Sequence, residues 1–131
     1  MKVITVSGKR KRAIARATLK PGAGIVRINS KLLDFIEPQI YRTRINEPII
    51  LAGDRAKKIN IDVSVEGGGI SSQANASRLV IARALAAYDH SLQKEFLDYD
   101  RTLLVADVRR KETHKPNCHG KARAKRQKSY R

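Results

Sequence analysis

Three groups of residues in this 131-residue chain have types and spacing that could do chemistry. The first is cationic. Lys9, Arg10, Lys11 and Arg12 are consecutive, and residues 109–131 hold Arg109, Arg110, Lys111, Lys115, Lys121, Arg123, Lys125, Arg126, Lys128 and Arg131 against one acid, Glu112. Cations packed this densely neutralise phosphates and release their counterions, so polyphosphate is the natural ligand. The second is Gly67-Gly68-Gly69, followed by Ser72 and Gln73 at the start of an alanine-rich run. Amides at a glycine turn and a helix N-terminus bind phosphate without a cation, and no Asp or Glu lies between Gln73 and Ala76 to occupy them. The third is His114, Cys118 and His119. A structural zinc site needs four ligands in paired spacing, and only His90 could join these three, so no metal is expected.

Several chemistries are disfavoured. A nucleotide-hydrolysing loop needs Lys-Ser or Lys-Thr after its glycines, whereas Gln73-Ala74 stands here, and no G-x-G-x-x-G occurs. One cysteine supports neither a disulfide nor a local Cys-His site, and no carboxylate pair has an acid–base signature. Trp is absent and only four Tyr and two Phe occur, which argues against base stacking on an aromatic platform. The residues point to binding, with no enzyme activity and no cofactor.

Charge divides the chain. Ten cations against one acid give residues 109–131 a formal +9, and the total of +16 leaves +7 for residues 1–108. The tail contains no Leu, Ile, Val, Phe or Met, so alone it is expected to be disordered. The 108-residue body is long enough for one small core. No run of about 18 apolar residues occurs, and the N-terminus lacks the order of a secretory signal. The expectation is a cytoplasmic protein without a membrane.

The positioning elements follow from periodicity. Val3–Val6 reads as a short strand, with the cations in the loop after it. Ala13–Leu19 can alternate as a strand, with a helical reading of this alanine-rich run as the rival; Pro21-Gly22-Ala23-Gly24 is turn chemistry, and Ile25–Asn29 follows, which predicts a hairpin of these two strands. Leu32–Ile36 suggests a short helix, and a further helical run is interrupted or kinked by Pro48. Ile59–Glu66 is the clearest strand, with Ile59, Ile61, Val63 and Val65 on one face. A helix to Tyr88 comes next, capped by Ser71 or Ser72 and apolar almost all round, so it should be enclosed. Arg78 and Arg83 are its exceptions and must reach an edge. A second helix, from about Ser91 to Leu97, turns Leu92, Phe96 and Leu97 inward.

The motif Gly67-Gly68-Gly69-x-x-Ser72-Gln73-x-x-Ala76, continued by Ala82-Arg83-Ala84-Leu85, resembles the signature of the small-subunit ribosomal protein nine family. Gly8-Lys9-Arg10-Lys11, Pro21-Gly22-x-Gly24 and the ending Arg126-Gln127-Lys128-Ser129-Tyr130-Arg131 are similar to the same family, the ending to its archaeal and eukaryotic branch. Val80 departs from the signature, which carries a small residue there, and suggests looser helix packing. The segment from His114 to His119 also departs, from a more glycine-rich and basic pattern.

The resemblance implies an α/β fold of two layers: a four-stranded mixed sheet covered by helices, with a left-handed βαβ crossover and an extended basic C-terminal tail. It implies a structural constituent of the small-subunit head, in contact with small-subunit ribosomal RNA, neighbouring head proteins and peptidyl-site transfer RNA. The expected ribosomal-RNA contacts are Lys9, Arg10, Lys11, Arg12, Gly67, Gly68, Gly69, Ser72, Gln73, Arg78, Arg83, Arg109, Arg110, Lys111, Lys121, Arg123, Lys125 and Arg126. Lys128 and Arg131 are the expected transfer-RNA contacts. A free-standing basic nucleic-acid-binding protein or RNA chaperone is the alternative.

Overall fold

A computed structural model describes residues 3–123. Its strands are β1 (Ile4–Arg10), β2 (Ala13–Pro21), β3 (Val26–Ile28), β4 (Lys31–Leu32) and β5 (Ile59–Glu66); its helices are α1 (Gln39–Ala52), α2 (Ile70–Tyr88) and α3 (Ser91–Tyr99). They form one mixed sheet in the order β1-β2-β5-β3-β4, packed against the helices. Five strands replace the expected four, because the two-residue β4 adds an edge beside β3.

The alternation read in the sequence is realised. Ala13, Ala15, Ala17 and Leu19 of β2 and Ile59, Ile61, Val63 and Val65 of β5 are all buried on one face. Across from them α2 buries Ala76, Val80, Ile81, Ala84 and Leu85. Small alanines on both layers let the helix approach closely. Val80 is not loosely packed: it is fully buried above Gly8, where an added Cβ would lie 2.9 Å from Val80 Cγ1. Gly8 supplies the room that the larger residue needs.

The expected hairpin of the second and third strands does not form. β2 pairs antiparallel with both β1 and β5, while β3 pairs parallel with β5 on its far side. The cause is Asn60. Its Oδ1 accepts from Ala23 N–H at 2.9 Å and Ile25 N–H at 3.0 Å, and Gly22 N–H donates to Lys58 O at 3.1 Å. The Pro21–Gly24 segment thus crosses the end of β5 instead of reversing beside β2.

Other differences are local. β1 continues through Lys9 and Arg10, leaving only Lys11 and Arg12 in the turn. α1 runs unbroken through Pro48, whose ring is buried. α2 begins at Ile70, so Ser71 and Ser72 lie inside it and its cap residue is Gly69. Leu97 is 42% exposed, and only Leu92 and Phe96 of α3 are buried.

The buried core ends at Leu103, before the basic segment begins. A chain ending at residue 108 is therefore expected to unfold cooperatively, with Tm within about 4 °C of full length. Calorimetry showing loss of cooperativity in the shortened chain alone would contradict this division of the chain into body and tail.

Candidate nucleic-acid interface

The β1–β2 hairpin closes in two residues, and Lys11 adopts φ of 53°, an uncommon conformation for a side-chain-bearing residue. Two long cations are thereby placed at the tip of the sheet. The glycine loop passes directly beneath them. Gly67 and Gly68 have φ of 73° and 66°, and an added Cβ would lie 2.7 Å from Arg12 O and 2.9 Å from Ala13 N, respectively. Both positions require glycine for conformation and for this close pass. Gly69 differs: its φ is −109°, and a Cβ there would meet nothing within 4 Å.

After Gly69 the N-terminus of α2 is open. Among the described residues no side chain caps it, and no acid lies in its first turn. The first amides of a helix lack intrahelical acceptors and carry the positive end of its dipole. Gln73 Nε2 donates to Gly67 O at 3.1 Å and ties the glycine loop to the helix.

The start of the tail supplies the third wall. Arg10 Nη2 meets Asp107 Oδ2 at 3.1 Å, and Arg109 Nη2 meets the same oxygen at 2.7 Å. The Arg109 side chain, its backbone N–H and the nearby Arg10 hold the Asp107 carboxyl well below the usual carboxylate range. The link is therefore retained far into acid and lost only as pH falls through that depressed value.

These three segments enclose an open groove of about 1120 Å³ lined by Arg10, Lys11, Arg12, Gly68, Gly69, Ser72, Arg109, Arg110, Lys111, Glu112, Thr113 and His114. Six cations and one acid line it, with the α2 amides at its side. Sequence groups as far apart as Arg10 and His114 thus meet at one surface. Lys9 lies beside this groove, in a smaller recess with Arg10, Asn75 and Arg109.

Other expected contacts are held elsewhere. Arg78 Nη2 meets Asp100 Oδ2 at 3.0 Å and also Glu47, and its Nη1 donates to Thr102 Oγ1 at 3.1 Å. Arg83 donates to Leu104 O at 2.9 Å and to Ser7 O at 3.0 Å. These guanidiniums join α2 to its neighbours, so they reach an edge but are engaged by protein there. Lys121 and Arg123 lie in a segment of turns and bends that folds back on residues 112–115. Glu112 accepts from Lys115 Nζ and Arg123 Nε, each at 2.7 Å, and Lys115 N–H donates to Lys121 O at 3.1 Å. These two side-chain bonds lower the Glu112 pKa. The tail's one acid is a clasp, a role that composition did not disclose. Cys118 Sγ lies 3.7 Å from Pro116 O, and among the described residues no three His, Cys, Asp or Glu side chains gather into a metal-binding cluster. Lys125, Arg126, Lys128 and Arg131 lie outside the described residues.

Gly69→Ala is expected to leave Tm within about 2 °C but to weaken RNA binding by roughly 0.5–1.5 kcal/mol, because the methyl would stand before the helix amides. Unchanged affinity in a salt titration would show that no phosphate approaches there.

A groove of this charge beside a helix N-terminus has the cations and amides that suit a polyanion. The family description "Ribosomal protein S9/S16" matches residues 8–131. The chain is 50% identical over 134 aligned positions to "Small ribosomal subunit protein uS9" of Methanococcus maripaludis strain C7, and 48% identical to the protein of that description in Methanococcus vannielii. Each comparison covers all of both chains. The chain belongs to the ribosomal protein S9/S16 family.

Proposed function

We propose that this protein is a structural constituent of the small ribosomal subunit, seated in its head in the cytoplasm, and that the groove holds ribosomal-RNA phosphates. The observation that carries this reading is the meeting of Arg10–Arg12, the α2 N-terminus and Arg109–Lys111 around one open space. Family membership supplies the setting. Within it, Lys11, Arg12, Arg110 and Lys111 contact RNA directly. Arg78 and Arg83 support the interface by fixing α2. The crossover from β3 through α1 to β5 is taken to be left-handed, as in the family.

The tail continues from the groove along RNA through Lys121, Arg123, Lys125 and Arg126, beside neighbouring head proteins. Lys128 and Arg131 then reach the anticodon stem-loop of peptidyl-site transfer RNA. An arginine guanidinium offers a bidentate fork to phosphate, which lysine does not.

The full chain is expected to sediment with small subunits through gradients at about 0.5 M monovalent salt, where loosely held basic proteins dissociate. Recovery only in the free-protein fractions would overturn the reading. Deletion of 128–131 is expected to leave assembly intact and to speed transfer-RNA release from assembled subunits severalfold, on the order of 1 kcal/mol. Release at the wild-type rate across a magnesium series would restrict the tail to an assembly role.

A further inference from the structure

The sheet has a second face, turned away from the helices and opposite the alanine and valine rows. Strand register defines its centre. Arg16 of β2 lies between Ser7 of β1 and Ser64 of β5, and Thr18 lies between Thr5 and Asp62 in the adjacent row. Arg16, Ser7 and Ser64 are exposed. Among the described residues Arg16 has no hydrogen-bond or ion-pair partner from the protein. Two hydroxyls therefore flank a guanidinium whose donor fork is open at the middle of the surface.

We propose that this open face, centred on Arg16, is a second RNA-binding surface that takes the sugar–phosphate backbone of a duplex segment. The proposal rests on the RNA-binding reading of the groove and adds a separate contact to it. Serine and threonine hydroxyls donate and accept, which suits both phosphate oxygens and ribose 2′-hydroxyls. The outward positions of β1, β2 and β5 hold no aromatic residue, so splayed bases have no platform. Duplex RNA is read through phosphates and 2′-hydroxyls across a wide, shallow minor groove, which a polar sheet face can approach.

Charge supports the same occupant. Lys9, Arg16, Lys20 and Arg27 outnumber Asp62 and Glu66 on this face, and the Arg27–Asp62 pair is long, at 4.0 Å. The surface is also continuous with the groove: Lys9 faces outward on β1 immediately before Arg10, Lys11 and Arg12 carry the chain to the hairpin tip. One RNA backbone can therefore pass from the sheet face around the tip.

The test uses the full chain, a blunt RNA duplex of about 16 base pairs and the DNA duplex of the same sequence. Arg16→Gln combined with Lys20→Gln is expected to raise the RNA-duplex Kd about 5- to 20-fold and to flatten its log salt slope by about 1–2. Ser7→Ala with Ser64→Ala should narrow the preference for RNA over DNA by severalfold. Wild-type protein supplies an independent reading: phenylglyoxal modification of Arg16 should be slowed by the RNA duplex. If Arg12→Gln with Arg110→Gln weakens binding while Arg16→Gln with Lys20→Gln does not, and Arg16 stays reactive in the complex, the sheet-face proposal fails and the groove stands. If neither pair changes affinity, both readings fail.

Discussion

Changing Arg12, Arg110 and Lys111 together to Gln is expected to weaken ribosomal-RNA binding about 100-fold at moderate salt. These side chains line the groove, and among the described residues none has an ion-pair partner, whereas Arg10 and Arg109 are engaged by Asp107. Each is thus available to a phosphate without first breaking a protein contact. A charge-assisted contact contributes roughly 1 kcal/mol after its exchange with water, so three give about two orders of magnitude. The log affinity against log salt plot should flatten by about 2, since each neutralised phosphate contributes about 0.7–0.9 to the slope. Tm should change little, because the substituted side chains lie outside the core. Affinity and slope both at wild-type values would remove the groove from the interface.

Arg78→Met separates fold from function at a residue whose sequence context suggested RNA contact. Its guanidinium has a side-chain exposure of 12% and joins Glu47 of α1 to Asp100 beyond α3. Removing it leaves two carboxylates facing each other without a cation. The expected loss is about 2–4 kcal/mol of stability, or roughly 8–15 °C in Tm. Burial raises the Asp100 pKa, but hydrogen bonds from Thr102 and Arg78 outweigh it, and the net shift is downward. A folded-state pKa below the unfolded one gives stability that is full above about pH 4 and lost as pH falls through the folded value. The variant should therefore lose less stability than wild type on acidification through that window. RNA salt slope should be unchanged once both proteins are folded. A flattened slope with an unchanged Tm would instead make Arg78 a direct phosphate contact.

Local pattern made much of the fold legible. β5 is bounded where its alternation ends, and α2 is enclosed as its apolar composition requires. Pairing was not legible, because a turn sequence such as Pro21–Gly24 does not state whether the chain reverses or crosses. The deciding hydrogen bonds come from Asn60, far along the chain. Three parts of the candidate site were visible as cations, glycines and an acid-free helix start. Their convergence depends on long-range geometry: the glycine loop passes under the hairpin, and Asp107 ties Arg10 to Arg109. Arg78 and Glu112 show the opposite limit, since composition gives a residue's charge but not whether a protein partner engages it.

An electron cryomicroscopy map of small subunits containing this chain, resolving the space between Arg12, the α2 N-terminus and Arg110, tests the groove most directly. A ribosomal-RNA phosphate is expected there, with an oxygen about 3 Å from the amide of Ile70 or Ser71 and a guanidinium or ammonium from the opposite wall on the same backbone. A groove open to solvent, or filled by another protein, would contradict it.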